Sequence, residues 1–98
     1  MTIKFYKLSV EAEGDVSALY DYTLENFGSE QTLAYLHGLE QCITTIVSNP
    51  NIGKDRSEIR EGLRSFLYEK HIVFYRSHDD YIRVVRILNS HRDLPNLL

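Results

Sequence analysis

Residues 58–93 read EIREGLRSFLYEKHIVFYRSHDDYIRVVRILNSHRD, and this stretch decides the fold. Three runs rich in β-branched and aromatic residues cover 63–68, 71–77 and 81–88. Only Glu69-Lys70 and His78-Asp79-Asp80 separate them, and connections that short join antiparallel neighbours. In the middle run Ile72, Phe74 and Arg76 share one face and His71, Val73 and Tyr75 the other. In the last run Ile82, Val84, Arg86 and Leu88 alternate with Tyr81, Arg83, Val85 and Ile87. Both of its sides are apolar, as in a strand covered twice. Arg83 and Arg86 are an odd number apart, so they are expected on opposite faces, and in one basic patch only if a bulge intervenes.

Working back from there, residues 3–8 (IKFYKL) suit a short strand. Ser9 is placed as a helix N-cap, with Glu11 and Glu13 in the first turn where the helix dipole favours acids. Ala12, Val16, Leu19, Tyr20, Thr23 and Phe27 then form one helical face, and Gly28 is placed to end it. Ser29 opens a second helix, with Leu33, Leu36, Leu39, Ile43, Ile46 and Val47 on its apolar side and Asn49-Pro50 at its end. Gly38 inside that helix costs about 1 kcal/mol against Ala, and a close helix–helix approach would account for it. Residues 51–62 form a polar connection, read as a surface loop pinned by Ile52 and Ile59 or as a partner-contact loop. The expected fold class is α+β in one domain spanning 1–98. It comprises an N-terminal strand, an antiparallel helix hairpin, then a three-stranded antiparallel sheet on which the hairpin packs.

The composition bounds the function. Ninety-eight residues with 43% hydrophobic and 26% charged side chains suit one soluble domain. No apolar run approaches the roughly 20 residues that span a bilayer, and MTIKFYKLSV lacks the apolar core of a signal peptide. Cys42 is the one cysteine, so no intramolecular disulfide forms, and a cytoplasmic location is expected. The net charge of −3 is uneven: residues 10–47 hold seven acids and no Lys or Arg. Those helices repel phosphate, so any nucleic-acid contact must use another surface.

His37, His71, His78 and His91 have no metal-ligand spacing and Cys42 stands alone, so neither a metal nor a cofactor is expected. No phosphate loop, dinucleotide fingerprint or nucleophile elbow occurs. His71 and Tyr75 share a strand face and could do acid–base work, although ring packing with a hydroxyl hydrogen bond is the simpler role. Arg64, Arg83 and Arg86 suit a phosphate or carboxylate partner.

The segments NPNIGKDRSEIREGLRSF, HIVFYR and IRVVRILNSHRD together resemble the ParE toxins of the RelE/ParE superfamily. The shared residues are Asn49, Pro50 and Gly53, then Glu58, Ile59, Arg60, Gly62 and Arg64. His71, Phe74 and Tyr75 follow, then Ile82, Val84, Arg86, Ile87 and Leu88. The resemblance implies a non-enzymatic toxin of a type II toxin–antitoxin system that poisons DNA gyrase and blocks replication. It also implies a ParD-like antitoxin bound in a hetero-oligomer. The partner-binding residues expected are Arg60, Arg64, His71, Tyr75, Arg83, Arg86 and Arg92. Neither a membrane nor sequence-specific nucleic acid is expected as a partner of the toxin alone. The ribonuclease branch, RelE-like and ribosome-dependent, is the alternative. It sets basic residues and a late Tyr or His over the sheet, whereas this chain has Leu67-Tyr68-Glu69, Asn89 and a tail, SHRDLPNLL, without Tyr. A different nuclease geometry using Tyr75, His91 and Arg92 stays open.

Overall fold

A computed structural model describes residues 2–91 and Leu98. Strand β1 (Phe5–Leu8) leads into helix α1 (Val10–Phe27) and helix α2 (Ser29–Ser48). Strands β2 (Lys54–Asp55), β3 (Arg64–Tyr68), β4 (His71–Ser77) and β5 (Tyr81–Asn89) follow. They form one sheet in the order β1-β5-β4-β3-β2. The α+β class and the antiparallel run β3-β4-β5 are as the sequence leads one to expect. The sheet is wider than expected by two strands. β1 lies parallel to β5, with Phe5 opposite Tyr81 and Leu8 opposite Val84. The connection at 51–62 contains β2, antiparallel to the start of β3.

The first helix starts where the sequence places it. The Ser9 hydroxyl accepts from the Ala12 N–H at 2.9 Å, capping α1, and donates to the Val85 carbonyl at 2.7 Å. The Ser9 N–H donates to the Val84 carbonyl. One buried serine therefore caps the helix and fastens it to the edge of β5 just beyond the reach of β1. Gly28 alone separates the helices, and the buried Thr32 hydroxyl donates back to its carbonyl at 2.7 Å.

Ala12, Leu19, Leu39, Ile43 and Ile46 pack on the face of the sheet that carries Val73, Tyr75, Ile82, Val84 and Ile87. Each Leu, Ile and Val among them contributes roughly 1.5–3 kcal/mol when fully buried. On the other face Leu63, Phe74 and Leu88 form a smaller cluster, covered by Ile59, Ile72, Val85 and Leu98. That cluster is what covers the second apolar side of β5. Ile59 thus pins its loop, whereas Ile52 is exposed. Three residues assigned to apolar helix faces are not core. Tyr20, Phe27 and Leu33 are 40%, 54% and 65% exposed, while Leu19, Thr23 and Thr32 beside them are buried.

Gly38 answers to the sheet and not to the other helix. A Cβ there would lie 2.1 Å from the Tyr68 hydroxyl, which donates to the Tyr35 carbonyl one turn earlier in α2. A side chain at position 38 would push that ring off the helix.

Candidate functional site

Alternation along β5 breaks once. Phe74 pairs with Arg86 and Tyr75 with Val84, which leaves Val85 as the extra residue of a β-bulge. Before the bulge even-numbered residues face the helices; after it Ile87 does. Arg83 and Arg86 therefore lie on the same side, which corrects the expectation that they diverge. They line one concavity of about 400 Å³ with Arg60, Arg76 and His78. Arg76 stands directly across from Arg83, and Lys7 across from Arg83 on the other side, so three cations occupy neighbouring strands in one row. Glu11 also borders the concavity.

The guanidinium groups differ in how they are used. Arg86 donates through Nε and Nη2 to both carboxylate oxygens of Asp15, at 2.8 and 2.9 Å. Asp15 also accepts from the Ile87 N–H at 2.9 Å, so one carboxylate holds the strand edge and the arginine together. Donating to the Asp15 carboxylate holds the Arg86 guanidinium protonated even more firmly than usual. Arg60 donates to the main-chain oxygen of Leu98. Arg76 and Arg83 have no hydrogen-bond or ion-pair partner among the described residues.

Arg64, Tyr75 and His71 are elsewhere. Tyr75 is completely buried; its hydroxyl donates to the Pro50 carbonyl at 2.8 Å and accepts from the Gly53 N–H at 2.9 Å. Burial raises the phenol above its ordinary pKa. Arg64 donates to the Gly53 carbonyl at 2.8 Å. The two side chains thus clamp residues 50–53 to the sheet. Gly53 allows this, since a Cβ there would lie 2.6 Å from the tyrosine oxygen and 2.9 Å from the Ser65 carbonyl. His71 shares a 2.7 Å hydrogen bond with the Tyr35 hydroxyl, and burial lowers its pKa. It lines a second cleft, of about 410 Å³, with Leu19, Tyr22, Thr23, Tyr35 and Asn89. His71 and Tyr75 share a strand face, but each is bonded to its own partner. Arg92 lies outside the described residues.

Of the seven expected partner-binding residues, the structure therefore gathers Arg60, Arg83 and Arg86 and leaves Arg64, His71 and Tyr75 apart. Sequence reasoning did not assign Lys7, Arg76 or His78 to the site. The parity of Phe74 and Arg76 was a usable signal for Arg76. Nothing local announces Lys7, whose position depends on the parallel pairing of β1 with β5.

Comparison with known proteins supplies the identity. The model of the family described as ParE toxin of type II toxin–antitoxin system, parDE, matches residues 6–94. The chain belongs to the ParE toxin family. Toxin ParE1 of Mycobacterium tuberculosis is 34% identical over 94 residues, covering 95% of this chain and 96% of that one. Toxin ParE of Escherichia coli is 35% identical over 95 residues, covering 95% and 91%. A solved chain of the chromosomal ParDE system from P. aeruginosa superposes with a TM-score of 0.76, over 90% of this chain and 96% of its own. At 20% identity that likeness establishes the shared fold alone. Among the described residues no helix is long and apolar enough to cross a membrane, and no group of His, Cys, Asp and Glu could hold a metal.

Proposed function

We propose that this ParE-family toxin halts replication by binding DNA gyrase, without chemistry of its own, and that a ParD-like antitoxin neutralises it in a hetero-oligomer. The family match over residues 6–94 carries the reading. The use of the Tyr75 hydroxyl supports it, because a phenol engaged as both donor and acceptor inside the core is withdrawn from acid–base work at the surface. The hairpin suits an antitoxin segment. Tyr22, Phe27 and Leu33 are exposed there amid acidic side chains, a surface complementary to an amphipathic, basic chain that folds on binding. The test is a supercoiling assay with purified gyrase. Inhibition with accumulation of cleaved DNA, relieved by the antitoxin, is expected; full supercoiling at a large excess of toxin would remove the proposal.

One observation favours a second reading. The concavity brings four arginines and the His78 imidazole together, the residue types a ribosome-dependent endoribonuclease would use. That reading requires cleavage of translated message in a reconstituted ribosome assay, lost in His78→Ala. Intact message at high toxin concentration eliminates it.

A further inference from the structure

The outer face of the sheet carries two rows that the gyrase reading does not use. One is the cationic row Lys7–Arg83–Arg76 across β1, β5 and β4. The other is a stack of three rings. Phe5 lies on Tyr81 with centroids 5.4 Å apart and planes 14° apart, and His78 lies on Tyr81 at 4.8 Å and 8°. The rows adjoin, since Lys7 Nζ sits 5.0 Å from the Tyr81 ring centroid and His78 lines the same concavity as Arg76 and Arg83. Lys7, His78 and Arg83 are exposed, and so is Phe5.

Like charges placed directly opposite on neighbouring strands are unfavourable. Here they occur in a chain whose net charge is −3; the seven acids of residues 10–47 lie on the helices, with Glu11 at the border of the concavity, and Asp79 and Asp80 lie in the turn beside His78. A row of this kind is relieved by a polyanion. The adjoining rings narrow the choice, because a free ring face beside a cationic track takes an unpaired base as well as its phosphate. An acidic peptide would use the cations and leave the rings idle. Duplex DNA would offer phosphate, with its bases already stacked on each other.

We infer that the outer sheet face binds single-stranded nucleic acid without sequence preference, phosphates on Lys7, Arg83 and Arg76 and a base stacked on His78. The interaction belongs to the toxin chain itself and needs neither gyrase nor ribosome, so it stands or falls separately from the supercoiling result.

The experiment is fluorescence anisotropy of the purified toxin with labelled oligothymidylate of about 15 nucleotides, a length within the usual site size. Three phosphate contacts give a log–log salt slope near −2, a roughly 20-fold loss of affinity between about 50 and about 200 mM salt. Arg83→Ala should flatten that slope by about 0.7, and Arg83→Glu should abolish binding. His78→Ala should weaken binding roughly fivefold and leave the slope unchanged, which separates stacking from charge. Lys54→Ala, on β2 at the far edge of the sheet, is the control and should bind as the parent does. Unfolding midpoints of all variants are measured alongside, because these side chains lie at the surface and their replacement should leave the fold intact. Absence of binding at low salt, binding undiminished in Arg83→Glu, equal affinity for duplex, or tighter binding of an oligoglutamate of equal charge would each overturn the inference.

Discussion

The two faces of the sheet employ the same residue types in opposite ways. On the helix-covered side Arg64 and Tyr75 are consumed by main-chain groups of residues 50–53. On the outer side Arg76 and Arg83 stand opposite one another with no partner among the described residues. Arg86 lies between these regimes, since it borders the outer concavity while Asp15 of α1 holds its guanidinium. Availability for a ligand is therefore decided by which face a residue occupies and by what main chain lies within reach. The chemical type of the side chain does not decide it. A buried polar group must be satisfied internally, whereas an exposed guanidinium has water for a partner and can exchange it for a ligand.

Substitutions on the two faces should separate cleanly. Tyr75→Ala removes a fully buried ring and should cost about 3–5 kcal/mol in chemical denaturation. A loss below about 1 kcal/mol would mean that the covered face is loosely packed. Arg86→Ala strips the part-buried Asp15 carboxylate of its guanidinium while the Ile87 N–H still donates to it, and should cost roughly 1–3 kcal/mol. An unchanged denaturation midpoint would place Arg86 with the ligand-available arginines and not between the two regimes. Tyr75→Phe keeps the ring but strands the Gly53 N–H and the Pro50 carbonyl; a loss of about 1–2 kcal/mol is expected. Were Tyr75→Phe neutral in stability yet impaired in toxicity, the hydroxyl would have a functional role after all.

His71 gives a pH test of the covered side. Its folded pKa lies below the ordinary value near 6.5, so the folded chain favours the neutral ring. The unfolded chain then binds more protons, and stability is complete above that ordinary value and declines as pH falls through the lower folded one. His71→Gln should show a smaller drop in unfolding midpoint between about pH 7 and about pH 5 than the parent. Equal drops would show that His71 does not carry the acid sensitivity of the fold. The smallest effect is expected for Arg83→Ala, within about 0.5 kcal/mol and slightly stabilising at low salt because a like-charge pair is relieved. A clear destabilisation would show that the outer row is structural.

These contrasts also mark how far the amino-acid order could be read. The strands β3, β4 and β5, both helices and the Ser9 cap follow from period, turn length and capping chemistry, which are local. The bulge at Val85 is not local. A strand apolar on both sides carries the same apolar signal whether or not one residue is skipped, so the side that Arg86 takes could not be read. β1 was legible as a strand, but its partner was not, and with the partner went Lys7. Gly38 was legible as a close approach, although the approaching group is Tyr68 from β3, far away in the chain. The clamp on residues 50–53 was legible only as a family motif, since nothing in Asn49, Pro50 and Gly53 themselves points to a tyrosine hydroxyl that comes much later.

Ser9 meets Val85 across 76 positions of chain, and among the described residues β1 has no neighbour in the sheet except β5. On the ribosome, residues 2–80 must wait for the last strand before the first can be paired and the α1 edge sealed. Closure over such a separation is slow compared with helix formation. The strand made first is thus among the last to be fixed in the sheet, and loss of β5 would free the front of the chain together with its back.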